Sequence, residues 1–163
     1  MFLLYGRKGV RTMQSKGRNI YRNARDTAGL TREQAAELLY ISVRSLADYE
    51  SGKTIPPDDA VCRMVEAYGA VWLGYEHLAQ STAVGRRYLP DIDFTDLAKA
   101  VLRLQKESDD VQKINSEMIT VACDGAVTDQ EQKTWDQVTK EVMEMVGAGL
   151  GVIFCQKEKG ALV

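Results

Sequence analysis

Residues 30–56 read Leu30-Thr31-Arg32-Glu33-Gln34-Ala35-Ala36-Glu37-Leu38-Leu39-Tyr40-Ile41-Ser42-Val43-Arg44-Ser45-Leu46-Ala47-Asp48-Tyr49-Glu50-Ser51-Gly52-Lys53-Thr54-Ile55-Pro56, and this stretch decides the fold. Thr31 through Gln34 form a capping box, in which the Thr hydroxyl and the Gln side chain satisfy each other's unpaired backbone donors. A helix is therefore expected from Thr31 to near Tyr40, turning Ala35, Leu38 and Leu39 toward a core. Ser42 caps a second helix, Val43–Ser51, with Leu46 and Tyr49 inward. Gly52 then supplies the left-handed residue that ends it.

Working outward, Ile20–Ala28 reads as an earlier helix stopped by Gly29. Pro56-Pro57 breaks the chain, and Asp58-Asp59 place negative charge on the first turn of a helix that runs to Tyr68. Val61, Met64 and Val65 share one face of it. Gly69 separates a fifth helix, about Val71–Gln80. Residues 17–80 thus read as a compact module of five short helices. Residues 1–16 show no period and read as a flexible basic tail, and Met13, just before the patterned part, is a candidate start. Residues 81–93 (STAVGRRYLPDID) mix Ser, Gly and Pro without a period and read as a linker.

Residues 94–157 read as a helical hairpin. Positions 97, 101, 104, 108, 111, 115, 118 and 122 step by four and three, giving an apolar seam interrupted at Ser108 and Asn115. Asp124-Gly125 closes this helix, Thr128–Glu131 form a second capping box, and Trp135, Val138, Val142 and Met145 continue the spacing. Helices of roughly 25 residues would make a rod near 40 Å long. The fold class is all-α.

Charge divides along the chain. Residues 1–56 hold ten Lys/Arg against five Asp/Glu, whereas residues 91–163 hold eight against fourteen. A basic first third joined to an acidic last third is the asymmetry of a chain that meets a polyanion with one part only. The three cysteines, Cys62, Cys123 and Cys155, form no CxxC and read as small buried hydrophobes, not a disulfide scaffold or zinc site. The one short apolar run near the start is no signal peptide, and no stretch approaches the ~20 apolar residues of a membrane span. The compartment expected is the cytoplasm.

Two short helices joined by a tight turn, the second capped and rich in exposed polar residues, are a helix-turn-helix arrangement. The stretch quoted above resembles the lambda-repressor/Cro-like (XRE) family of transcription regulators, most specifically in Tyr49-Glu50-Ser51-Gly52-Lys53…Pro56. The resemblance covers about residues 17–80 and implies a five-helix DNA-binding domain. By position it makes Val43–Ser51 the recognition helix in the major groove, with Val43, Arg44, Ser45 and Asp48 at the base edges. It makes Arg32, Gly52 and Lys53 phosphate contacts. Helix geometry agrees, because residues 43–45 form the first turn and residue 48 lies one turn further on the same face. Arg44 suits guanine, Asp48 cytosine N4 and Val43 a thymine methyl. The resemblance also implies that Arg25 and Glu50 bridge the first and third helices, the alternative being two solvated charges worth at most about 1 kcal/mol. The family usually has Gly where this chain has Tyr40. The turn Cys123–Glu131 is similar to one in C-terminal regions of some phage regulators, which suggests a prophage-type protein.

Other candidates carry little. His77 is the only histidine, so a metal site lacks ligands and a packing or surface role is expected. Gly147-Ala148-Gly149-Leu150-Gly151 follows a helix, not a strand, and lacks the Lys-Ser/Thr ending of a phosphate loop. Arg86-Arg87 suits a DNA contact or a solvated pair equally. No catalytic grouping can be assembled, so no enzyme, cofactor or metal is expected. Two functions compete. One is a repressor-like regulator of double-stranded DNA that forms a homodimer through residues 94–155. The other is an antitoxin-like or adaptor protein whose hairpin binds a different protein while the N-terminal half autoregulates.

Overall fold

The computed structural model describes residues 19–155, so the tail expected at 1–16 and the last residues of the hairpin expected at 94–157 lie outside the described residues. The described residues form nine helices and no strand: α1 Ile20–Thr27, α2 Arg32–Leu38, α3 Val43–Glu50, α4 Asp58–Tyr68, α5 Trp72–Ser81, α6 Ala83–Tyr88, α7 Leu97–Lys113, α8 Asn115–Ala122 and α9 Gln132–Phe154. The all-α expectation holds. The chain divides into two compact units, Met1–Leu89 and Pro90–Val163.

In the first unit, one device ends each of the first four helices. The amide just past a left-handed residue donates back five residues: Leu30 to Arg25 O at 3.3 Å, Ile41 to Ala36 O at 3.1 Å, Lys53 to Asp48 O at 3.0 Å and Ala70 to Val65 O at 3.2 Å. Each bond needs a left-handed residue before the donor, and these are Gly29, Tyr40, Gly52 and Gly69, with φ of 70°, 56°, 74° and 63°. Tyr40 alone has a side chain there, and its ring is 90% exposed. A side chain in this region costs roughly 1–2 kcal/mol, against about 0.5–1 kcal/mol for the extra chain entropy that glycine loses on folding. Tyr40→Gly is therefore expected to raise stability by about 0.5 kcal/mol in urea unfolding. A fall would show that the ring contributes packing worth more than the strain.

The starts are as local as the ends. Both halves of the Thr31–Gln34 capping box are present, and the Ser42 hydroxyl accepts from the Ser45 amide at 2.9 Å. Leu39, Leu46, Pro56, Met64 and Leu73 fill the core. Leu38, expected inside, is 51% exposed, because α2 turns Ala35, Ala36 and Leu39 inward and successive residues are about 100° apart. Tyr49 is only half-buried. Cys62 and Cys123 are exposed and Cys155 half-buried, so none is the buried hydrophobe expected. Cys62 rides the outer side of α4, whose inner face holds Ala60, Val61, Met64 and Tyr68.

The stretch expected to be a linker contains a helix. Thr82 caps α6 by accepting from the Gly85 amide at 2.8 Å, and α6 folds back on α5. The return is so close that a Cβ on Gly85 would lie 1.8 Å from the Leu78 carbonyl oxygen. Six residues are too few to show a period, which hid this helix from the sequence.

In the second unit, α7 and α8 pack against α9. The first arm is not one helix but two, divided at Ile114, whose φ of −98° and ψ of 8° leave the helical region. Its buried and half-buried face is Ala100, Leu104, Glu107, Val111, Ile114, Met118 and Val121. The expected seam is right at 104, 111 and 118, with Ser108 also half-buried beside Glu107, and one residue late at 101, 115 and 122. Leu97 and Val101 are about half exposed, and Asn115 and Ala122 are exposed. The polar interruption is therefore Glu107, with Lys106 at 3.3 Å, and a carboxylate in the face concealed the phase. At the far end Thr128 is not a helix cap. Its amide and hydroxyl both donate to the Glu131 carboxylate, and α9 begins at Gln132. The glycine run has a packing cause: Cβ atoms on Gly147 and Gly151 would meet Pro90 Cβ at 3.2 Å and Asp93 O at 2.8 Å.

Candidate nucleic-acid interface

The turn between α2 and α3 is short because both its ends are fixed by local bonds, the Ile41–Ala36 bond behind and the Ser42 cap ahead. Leu46, completely buried, keys α3 into the core and leaves the opposite side outward. Val43 and Arg44 are exposed on the first turn of α3, while Ser45 and Asp48 are half-buried. The Ser45 hydroxyl is engaged with that of Ser42 at 2.8 Å. Among the described residues Arg44 has neither a hydrogen bond nor an ion pair, so its five N–H donors are not used by them.

The C-terminal end of α3 is held by cations. Glu50, whose side chain is 2% exposed, accepts from Arg25 Nε at 2.5 Å and from the same guanidinium's second nitrogen at 3.2 Å. Arg25 also donates to Leu30 O at 2.7 Å and pairs with Asp26, so it ties three elements together. Its hydrogen bond to Glu50 raises its pKa above the ordinary arginine value. Arg32, from the start of α2, donates through two nitrogens to the same Glu50 oxygen at 3.0 Å each. One buried carboxylate thus carries two guanidiniums. Tyr68 stands beside it, its hydroxyl pushed up to about 12 by burial.

Lys53, beyond Gly52, reaches back to Asp48 with Nζ 3.2 Å from the carboxylate. The structure therefore brings Arg25, Arg32 and Glu50 together and Asp48 with Lys53, and leaves Val43 and Arg44 facing outward. Two contributors, Asn19 and Arg63, were missed in the sequence, and His77 takes the packing role expected of it. Asn19 caps α1 by accepting from the Tyr21 amide at 2.9 Å and donates to Tyr49 O at 2.9 Å, clamping the end of α3. Its place just before Ile20 signals the cap, but nothing local signals the second bond. Arg63 donates to Leu39 O at 3.2 Å, supplying a partner to the end of α2. His77 is buried, with Nδ1 2.7 Å from the Tyr21 hydroxyl and Nε2 3.0 Å from Asp58, so it joins α1, α4 and α5.

Residues 22–71 match the family model of a helix-turn-helix domain. This module is a helix-turn-helix domain. The match runs from the first turn of α1 to the residue before α5, and it supports a DNA-binding family of the helix-turn-helix kind for this module. No curated protein and no solved structure matches the chain. Beyond the helix-turn-helix domain, Arg86 donates to Gln80 O at 2.7 Å and Arg87 lies 5.5 Å from the Tyr88 ring centre, so both have partners within their own unit. Glu107, Asp110 and Glu141 gather carboxylate oxygens within 4.8 Å of one another, but lysines already serve them. Lys106 and Lys113 donate to Asp110 at 2.8 and 2.7 Å and hold its carboxyl down at about 2. Among the described residues no helix is long and apolar enough to cross a membrane.

Proposed function

We propose that this chain is a sequence-specific regulator of transcription that binds double-stranded DNA, repressor-like and of the lambda-repressor/Cro-like prophage type. It reads the major groove with α3 and dimerises through its hairpin. The observation that carries the reading is the exposed first turn of α3, where Arg44 stands unpartnered among the described residues while cations flank the helix at its other end. Val43, Arg44, Ser45 and Asp48 face base edges, and Arg32, Gly52 and Lys53 face phosphates. Arg32 spends two of its five N–H donors on Glu50, which fixes the guanidinium plane and leaves the rest for a phosphate oxygen.

Duplexes selected from a random pool by the full chain test this. Arg44→Ala is expected to lose about 1–3 kcal/mol at one base position and to relax the preference there. Arg32→Ala is expected to weaken all duplexes alike and to flatten the salt dependence. Uniform weakening by Arg44→Ala would make Arg44 a phosphate contact and remove it from the reading set.

The adaptor reading rests on one observation: Leu102, Ile119 and Ile153 of the second unit, one on each of its helices, are 71%, 60% and 71% exposed apolar side chains. An equimolar second polypeptide co-purified from the native host would favour it.

A further inference from the structure

Asp48 poses a physical problem for any helix that faces DNA. A carboxylate on that face lies within a Debye length, ~10 Å, of phosphates and is repelled by them unless something neutralises it. The chain supplies the neutralising group through its backbone. The Asp48 carbonyl accepts from the Lys53 amide at 3.0 Å and the Thr54 amide at 3.3 Å, and from the Ser51 hydroxyl at 3.0 Å. These bonds wrap residues 51–54 around the end of α3, with Gly52 at φ 74° making the reversal. Lys53 is thereby anchored directly above the residue whose carboxylate its ammonium meets at 3.2 Å. The lysine side chain remains 63% exposed and that of Asp48 28%. An ammonium has three donors, so two are left for other acceptors, and the second carboxylate oxygen is still an acceptor.

We propose that Lys53 is a positioning residue that sets base specificity through Asp48: one ammonium bridges the Asp48 carboxylate and a DNA phosphate, and so lets α3 present a carboxylate to a base amino group. The proposal rests on the DNA-binding reading above and adds to it a conditional role for the lysine. Without Lys53, Asp48 turns from a reading group into a repulsive one, so the loss exceeds that of one phosphate contact. With Asn at position 48 there is no charge to neutralise, and Lys53 becomes an ordinary phosphate contact.

The test is a double-mutant cycle on the full chain, using duplexes that the wild-type chain enriches from a random pool and fluorescence anisotropy over a range of salt. Lys53→Met is expected to weaken the enriched duplex about 30-fold in the wild-type background and about 5-fold beside Asp48→Asn, a coupling of about 6-fold. It is also expected to change the base preferred at the position Asp48 reads, which loss of a plain phosphate contact would not do. Lys53→Arg should restore most of both. Thermal melts of every variant establish that the domain remains folded. Equal losses in the two backgrounds, with an unchanged base preference, overturn the bridge and leave DNA binding standing. If the wild-type chain enriches no duplex, the DNA-binding reading fails, and the bridge falls with it.

Discussion

Glu50→Ala is expected to destabilise the helix-turn-helix domain by about 3–5 kcal/mol, the largest loss from any single polar replacement in it. The cause is the guanidinium left behind. Arg25 is 7% exposed in the native fold and has its principal carboxylate in Glu50, so without it a cation stays buried with only Asp26 and a carbonyl near it. Arg25→Ala is expected to cost less, about 2 kcal/mol, because Glu50 then keeps Arg32 at 3.0 Å as a partner. Two arginines on one acid therefore make the pair asymmetric. Urea unfolding of both single variants and the double variant measures the difference. A double variant whose loss equals the sum of the single losses would show that the two groups do not interact, whatever their separation.

Cutting the chain between Leu89 and Pro90, where the two units divide, is expected to yield a folded monomer with about 10²–10⁴-fold weaker binding to a two-half-site duplex. In the proposed dimer the second recognition helix binds at the effective concentration set by the first, with half-sites about one DNA turn apart. Packing within the second unit limits the surface left for this dimer. Leu104, Val111, Met118, Val138 and Val142 are used within the hairpin. What is left outside includes Met143, Val146 and Ile153 on α9, 39%, 43% and 71% exposed at spacings of three and seven, with Leu97 and Val101 on α7. Those spacings form a stripe along one side of α9. Light scattering on the full and shortened chains decides: a shortened chain that still dimerises removes the hairpin from the interface and strengthens the adaptor reading.

The helix-turn-helix domain was legible in the sequence because its boundaries are written locally. Thr31, Ser42, Gly29, Gly52 and Gly69 each satisfy their own helix end within five residues, so the pattern needs no knowledge of the fold. Even the one irregular end, at Tyr40, adopts the left-handed conformation of the glycine usual there in the resembled family. The second unit was legible as helical, but its buried face was not in phase. The buried face includes the Glu107 carboxylate, and a shift of the alternate seam positions by one residue puts Ile114 and Val121 inside and Asn115 outside. At the interface, the exposure of Val43 and Arg44 followed from helical phase. The partners of Arg32 and Lys53 did not, because long side chains choose among acids that only the folded chain brings near.

The gathering of Arg25, Arg32 and Lys53 at one end of α3 also gives the helix an electrical direction. Aligned peptide dipoles leave partial negative charge at a helix's C-terminal end and partial positive charge at its N-terminal end. Here the negative pole is covered by three cations from the same domain, two on Glu50 and one on Asp48. The positive pole, at Val43 and Arg44, is left open and reinforced by the Arg44 charge. A polyanion that meets this helix finds a cation with no acid partner among the described residues at that pole and acid-paired cations at the other.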